Sequence, residues 1–423
     1  MSIPGTFLPL SASLALMLTS ACGTEMSDVE SDPGELGSAS ATNDDDPQSI
    51  AAAGDALPGL TPEQLTAFEV GREDFAEVEE PDEGLGPVFN NTGCGVCHDA
   101  PATGGASSTA LVEIRYGFTG PDGSFDPLSQ FGGSLQQLSG IGPVEIPGCE
   151  GVSFAQETIP AEANTTAGRL TQPLFGLGLI DNVPDVAFQA LAAAEAELTP
   201  ETAGRVSLVT NLATGQQDVG RFGWKAQVAS IADFSGDAYL NEMGITNPVF
   251  PTESCFNGDC ELTARCDPAP DPEDDGTALN NFTTFMTFLA PAPALPVEGQ
   301  AAIGAGVFAG IGCANCHTPA LVTGSNAIAA LDHKTFSPYS DFLLHDMGSL
   351  GDGIVQGGTG AREMRTSPLW GARFRVAYLH DGRATTVSQA ILAHAGQGQS
   401  AADQFAGLPS ALQNALLAFV GTL

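Results

Sequence analysis

Lysine is nearly missing from this chain: Lys225 and Lys334 are the only two in 423 residues, and the 13 basic side chains face 51 acidic ones. A formal charge of −38 excludes a nucleic-acid binder that works by covering phosphates with cations. It favours basic partners over anionic ones. Tryptophan (2) and tyrosine (4) are scarce while glycine (51) and proline (29) are plentiful, a balance that points to a loop-rich architecture. Beyond the N-terminal stretch no apolar run is long enough to span a bilayer, which excludes a membrane-spanning helix. The 43% of hydrophobic residues supplies a real core and excludes wholesale disorder, and the length suggests two or three domains.

The N-terminal stretch itself, Phe7 to Thr19, is apolar but too short to cross a membrane. It runs into Leu18-Thr19-Ser20-Ala21-Cys22, small residues leading to a cysteine, and resembles the lipobox of bacterial lipoproteins. Residues 1–22 are therefore expected to be an export signal with Cys22 acylated; an ordinary secretory signal is the alternative. Gly23, where inner-membrane lipoproteins usually carry Asp, places the anchor in the outer membrane, and either reading puts the protein in the periplasm or facing it. Membrane contact is expected only through that lipid. Residues 23–56, acidic and poor in large apolar groups, are expected to be a flexible tether.

Four of the nine cysteines lie in Cys94-Gly95-Val96-Cys97-His98 and Cys313-Ala314-Asn315-Cys316-His317. Both read C-x-x-C-H, the attachment motif of c-type haem. Two intervening residues let one turn present both thiols to a porphyrin edge, and the next residue aims its imidazole at the iron. Chance would supply roughly 0.003 such matches in a chain of this composition. Two covalently bound haems are expected, with His98 and His317 as proximal iron ligands. Setting Cys22 aside leaves Cys149, Cys255, Cys260 and Cys266, an even number for an oxidising compartment. At least one disulfide is expected, the loop Cys255 to Cys266 being its natural place. The nearby Asp271, Glu273, Asp274 and Asp275 offer oxygen ligands for Ca²⁺, or form a solvated acidic turn.

Each motif has a similar approach: Phe68, Val70 and Phe75 before the first, and Ile303, Val307 and Phe308 before the second, at helical spacing. Phe282 to Leu289 and Ala411 to Val420 read as closing helices. Pro291, Pro293 and Pro296 make a stiff linker between residues 57–290 and 298–423. The expected fold is mainly α: two cytochrome c-type haem domains, the first enlarged between about Ser107 and Gly236 by loops, short strands and a helix over Val186 to Leu198. Five of the eleven arginines fall between Arg362 and Arg383. Haem propionates are anionic and suit bidentate guanidinium, and Arg365 and Arg383 are the candidates.

Several blocks occur in one order over nearly all of residues 60–423. They include Gly84-Leu85-Gly86-Pro87, Arg221-Phe222-Gly223-Trp224-Lys225-Ala226, Glu242-Met243-Gly244-Ile245-Thr246, Leu344-His345-Asp346-Met347-Gly348, Arg365-Thr366-Ser367-Pro368-Leu369-Trp370-Gly371 and Tyr378-Leu379-His380-Asp381-Gly382-Arg383. Together with the two haem motifs, these residues resemble the bacterial di-haem oxidoreductases, distant relatives of the di-haem cytochrome c peroxidases. The resemblance implies peroxide or oxygen chemistry at one haem, with electrons passed through the other from an external donor such as a small basic cytochrome or cupredoxin. The alternative is a non-enzymatic di-haem electron carrier. By the spacing of the family's Y-x-H-x-G block, His394 is the expected sixth ligand of the second haem, with Met347 its rival. The first haem is expected to keep an open sixth position, with Met243 or His345 as the groups that could instead fill it. Glu242, by its E-M-G block, is the implied proton donor, and His345 and Asp346 follow. Trp224 matches a tryptophan set between the haems, and His380 and Asp381 are expected to hold a turn.

Overall fold

Two helix pairs carry the motifs. Thr61 opens the helix Pro62–Phe75 with a reciprocal cap, in which the Gln64 N–H donates to its hydroxyl and its own N–H donates to the Gln64 side chain. This helix packs on Thr277–Phe288, and Gln300–Gly310 packs in the same manner on Ser410–Val420. Each pair crosses at a glycine. A Cβ at Gly71 would lie 2.3 Å from the Asn281 carbonyl oxygen, and one at Gly304 1.9 Å from that of Ala415, so only glycine allows the backbones to approach so closely. The computed structural model describes residues 51–110 and 112–423; the expected export signal, Cys22 and the tether as far as residue 50 lie outside the described residues.

The mainly α expectation does not hold. Helix accounts for 33% and strand for 15%, spread over several small sheets. The longest strand, Val112–Thr119, pairs antiparallel with Thr165–Leu170 and is flanked by Leu135–Gln136 and Phe125–Asp126. Short strand pairs also lie in the second half, among them Leu344–Asp346 with Glu363–Arg365. The physical reason is local. Between the helices the chain is broken by glycine and proline too often for a 3.6-residue period to build up, so its backbone groups are satisfied by short antiparallel pairings. The individual helices came where their periodicity placed them: Asp185–Leu198, Thr277–Phe288 and Ser410–Val420.

One apolar core joins Phe68, Phe75, Phe285 and Ile180 to Leu343 and Trp370. A second gathers Phe308, Phe405, Leu416 and Phe419, and a third surrounds Cys149 and Cys266. The proline segment is not a loose spacer: Leu289, Ala290 and Ala292 are buried, and Ala290 N–H donates to Asp55 O. Residues 51–57, at the end of the expected tether, are likewise held, Leu57 N–H donating to Phe288 O. No helix among the described residues is long and apolar enough to cross a membrane.

Candidate functional site

Each C-x-x-C-H segment folds as a single tight turn, Cys94–Cys97 in one case and Cys313–Asn315 in the other. His98 N–H donates to Cys94 O and His317 N–H to Cys313 O, which closes the turn and turns the imidazole away from it. The His98 Nδ1 lies 3.0 Å from Gly105 O and the His317 Nδ1 2.9 Å from Tyr339 O. A carbonyl can only accept, so each Nδ1 carries the proton and each Nε2 keeps a free lone pair. Burial lowers both imidazoles to about 4, so they are neutral, the state a metal ligand requires. Phe75 and Phe308, from the preceding helices, pack their rings 6.0 and 6.3 Å from these imidazoles.

A cavity opens over each turn. The first, of about 210 Å³, is lined by Cys94, Cys97 and His98; the second, of about 510 Å³, by Cys313, Cys316 and His317. The sulfur chemistry separates the two classes of cysteine. Cys149 is bridged to Cys266 and Cys255 to Cys260, whereas the four motif cysteines are thiols beside the cavities. The Cys255 to Cys266 loop thus holds one of the disulfides, and the second reaches back to Cys149.

A charged group lines the first cavity together with His98. Glu242, at the end of the helix Ile231–Met243, accepts from Asn90 Nδ2 at 2.8 Å. Asn90 is itself oriented by the Leu138 N–H. Glu113 and Arg115 project from the same face of the Val112–Thr119 strand and pair with one another, and Arg169 stands opposite Glu113 in the ladder. Burial, then the charge of Glu113, pushes Glu242 up to about 8. Burial also raises Glu113, but Arg115 and then Arg169 outweigh it and hold that carboxyl below its ordinary range. The two carboxyls therefore act as a pair, with the proton on Glu242. The sequence reading missed Glu113, Arg115 and Arg169. The E-x-R alternation in a strand-like run was the available signal, since an i, i+2 pair lands on one face.

The second cavity has a different wall. His394 enters from the end of Val387–Leu392, its Nδ1 2.8 Å from Ala390 O, so that Nε2 is again the free nitrogen. Met347 also lines this cavity, as does His345. His345 does not line the first cavity; its Nε2 is 2.9 Å from Asp341 Oδ2 and its Nδ1 3.6 Å from Cys316 Sγ. Burial alone would lower His345, but the hydrogen bonds to Asp341 and Cys316 carry it up to about 11. Asp346 is paired with Arg362 and lines neither cavity, and His333 is exposed beside Asp332.

Trp224 lines both cavities. Its Nε1 donates to Leu170 O at 2.9 Å, its carbonyl accepts from Arg365 N–H, and the His380 ring meets it edge-on at 6.3 Å. Arg365 is buried and reaches only neutral oxygens: Gly223 O, Thr366 O and Gln172 Oε1. Arg375 is half-buried, with Nη2 on Pro368 O and a buried Nε that has no partner. Burial, with Arg375 adding to it at Arg365, lowers the pair to about 9 and about 10. Two enclosed cations with no carboxylate hydrogen-bonded to either are costly unless an anion completes them. Both arginines line the second cavity with Cys313, Cys316, His317 and His394, and haem propionates there would complete them. Arg383, by contrast, is exposed on Asp381 and lines neither cavity. Arg375, from the same arginine-rich stretch, lines the second cavity instead, and spacing alone did not say which guanidinium turns inward.

No curated protein matches the chain. A family model described as "Di-haem oxidoreductase, putative peroxidase" matches residues 158–423, which include the second haem motif, Trp224, Glu242, Arg365, Arg375 and His394. With more than half of its length matched, and two thiol–imidazole cavities of the same local build, this chain belongs to the di-haem oxidoreductase family.

Proposed function

We propose that the protein is an exported peroxidase carrying two covalently attached c-type haems, with the first cavity as the reaction site and the second as the electron store. The observation that carries this reading is that Glu242, Glu113 and Arg115 line the cavity of His98, whereas a further imidazole, His394, lines the cavity of His317. When bound, haem supplies a redox-active iron able to bind and reduce peroxide. Cys94 and Cys97 would hold the first group and Cys313 and Cys316 the second, by thioether bonds. His98 and His317 would ligate iron, with His394 as the sixth ligand of the second and Met347 its rival. Peroxide reduction breaks the O–O bond, takes an electron pair from an external donor and takes a proton pair to complete the waters. Glu242, protonated at neutral pH, is placed to donate to the departing oxygen, and Arg115 to stabilise developing negative charge. Trp224, touching both cavities, supports electron passage between them. The two disulfides support an oxidising compartment, the periplasm or the outer-membrane surface, with anchoring through Cys22. The acidic surface suits a small basic cytochrome or cupredoxin as donor.

A second reading has one observation behind it: Met243 and Met286 both line the first cavity, and either thioether could fill the sixth position. That arrangement would make the protein an electron carrier. Ferric EPR together with steady-state turnover separates the two. A peroxidase shows one high-spin signal that peroxide abolishes, and it oxidises a reduced cytochrome at the expense of peroxide. Two low-spin signals with no turnover would overturn the peroxidase reading, and fewer than two haem equivalents in a pyridine haemochrome assay would overturn both.

A further inference from the structure

Away from both cavities, four carboxylates converge in the segment that follows Glu242. Ligand oxygens of Glu253, Asp267, Asp271 and Glu273 all lie within 4.8 Å of one another. Glu253 is the inner member, 8% exposed, and neither of its oxygens has a well-formed hydrogen bond, the Ser254 amide offering only a weak approach. Asp267 and Glu273 each commit one oxygen to the chain: Asp267 Oδ1 accepts from Ala269 N–H at 3.1 Å and Glu273 Oε2 from Thr246 N–H at 2.8 Å. The remaining oxygen of each, Asp267 Oδ2 and Glu273 Oε1, is buried without a partner. No lysine or arginine pairs with any of the four among the described residues.

We propose that Glu253, Asp267, Asp271 and Glu273 form a site for a divalent hard cation, and specifically for Ca²⁺. An unpartnered buried carboxylate beside three others costs desolvation and repulsion together, and a dication removes both costs. The donors are all oxygen, with neither imidazole nor thiolate, which disfavours zinc and copper. They come from an irregular loop in which carboxylates can bind through one oxygen or both, as Ca²⁺ tolerates and octahedral Mg²⁺ does not. Asp274 and Asp275 are not part of the set. Asp274 caps the helix Thr277–Phe288 through Ala278 and Leu279 N–H, and Asp275 accepts from Thr277 N–H.

The site has a mechanical consequence. Both disulfides begin or end inside the same segment, at Cys255, Cys260 and Cys266. Glu273 grips Thr246, two residues beyond the Gly244 that ends the Glu242 helix. It also packs against Gly84, where a Cβ would lie 2.8 Å from the Glu273 side chain. The cation would thus brace the loop that holds the first cavity's wall without touching that cavity.

The test uses the purified holoprotein. Its metal content is measured before and after chelation, and the chelated protein is titrated with CaCl₂ by calorimetry and followed by thermal melting, with MgCl₂ in parallel. One equivalent of Ca²⁺ should bind, raising Tm, with at least tenfold preference over Mg²⁺. Glu253→Gln should weaken binding at least tenfold while leaving both haem spectra unchanged. Should that variant fail to fold, Tb³⁺ luminescence on the wild type, displaced by Ca²⁺, gives the same reading. A chelated wild type that binds neither ion, with an unchanged Tm, overturns the site in favour of carboxyls sharing protons; tighter binding of Mg²⁺ overturns the calcium assignment.

Discussion

The two cavities rest on one floor and differ in what stands opposite it. Both are built on a C-x-x-C-H turn closed by the same backbone hydrogen bond, with Nδ1 of the histidine on a carbonyl and a phenylalanine against its ring. The first is also lined by Glu242, Glu113 and Arg115, the second by His394 and Met347. Under the proposed function the first set would move protons and stabilise charge, and it adds no imidazole to that of His98. The second offers an imidazole with Nε2 free. In the proposed function an identical motif specifies only that a haem is held, and the other lining residues would divide chemistry from storage. The largest test of that division is Glu242→Gln. Peroxide turnover should fall by about 10²–10⁴-fold, the range for a positioned proton donor, while the second haem's spectrum stays as it was. Equal loss in both spectra would mean that the walls are not specialised.

The other half of the comparison turns on His394. Replacing it in His394→Met exchanges imidazole for thioether, which favours the reduced metal, so the midpoint potential of the second haem should rise with its low-spin state retained. An unchanged potential and spectrum would remove His394 from the ligand set, and Met347→Ala would then show the loss of low-spin signal instead. In neither variant should the first haem's peroxide response change.

The cavity floors were legible in the sequence because attachment is local: five consecutive residues fix thiol spacing and imidazole direction. Helix positions were legible for the same reason, since Phe282 or Phe419 announces its face through periodicity. The opposite walls were less so. Glu113 comes from a strand, Arg169 from its ladder partner and Glu242 from a helix end, and only the register between Glu113 and Arg169 brings them together. Arg375 and Arg383 are eight positions apart in one basic stretch, yet one lines the second cavity and the other pairs with Asp381 at the surface. The strand content was underestimated because pairs of two or three residues carry too few alternations to register as a pattern.

A pH profile sharpens the account of the first wall. Glu242 is raised to about 8, so its protonated form is present below that pH and lost above it. Turnover should fall as pH rises through about 8 if Glu242 gives the proton. Glu113→Gln removes the second-ranked cause of that elevation and leaves burial, the first. The descending limb should therefore move to lower pH yet remain above the ordinary carboxyl value of about 4.3. A limb that does not move means that Glu242 and Glu113 do not share the proton, and the assignment of the acid would pass to another group.

The smallest expected effects lie in the helix pairs beneath the cavities, and they ask whether the two floors are independent. Gly71→Ala and Gly304→Ala would each drive a methyl into a carbonyl oxygen of the partner helix, at Asn281 and Ala415. Overpacking of this kind typically costs about 1–3 kcal/mol. The closer approach at Gly304 puts that variant toward the upper end, since a 1.9 Å contact leaves less room to shift than one of 2.3 Å. Both losses should appear as a lower Tm. Phe75 lies on the Gly71 helix and touches the His98 ring, while Phe308 lies on the Gly304 helix and touches the His317 ring. Each substitution should accordingly disturb the spectrum of its own haem and spare the other. A single variant that perturbs both would show strain passing between the floors, through the core that joins Phe285 to Leu343 and Trp370.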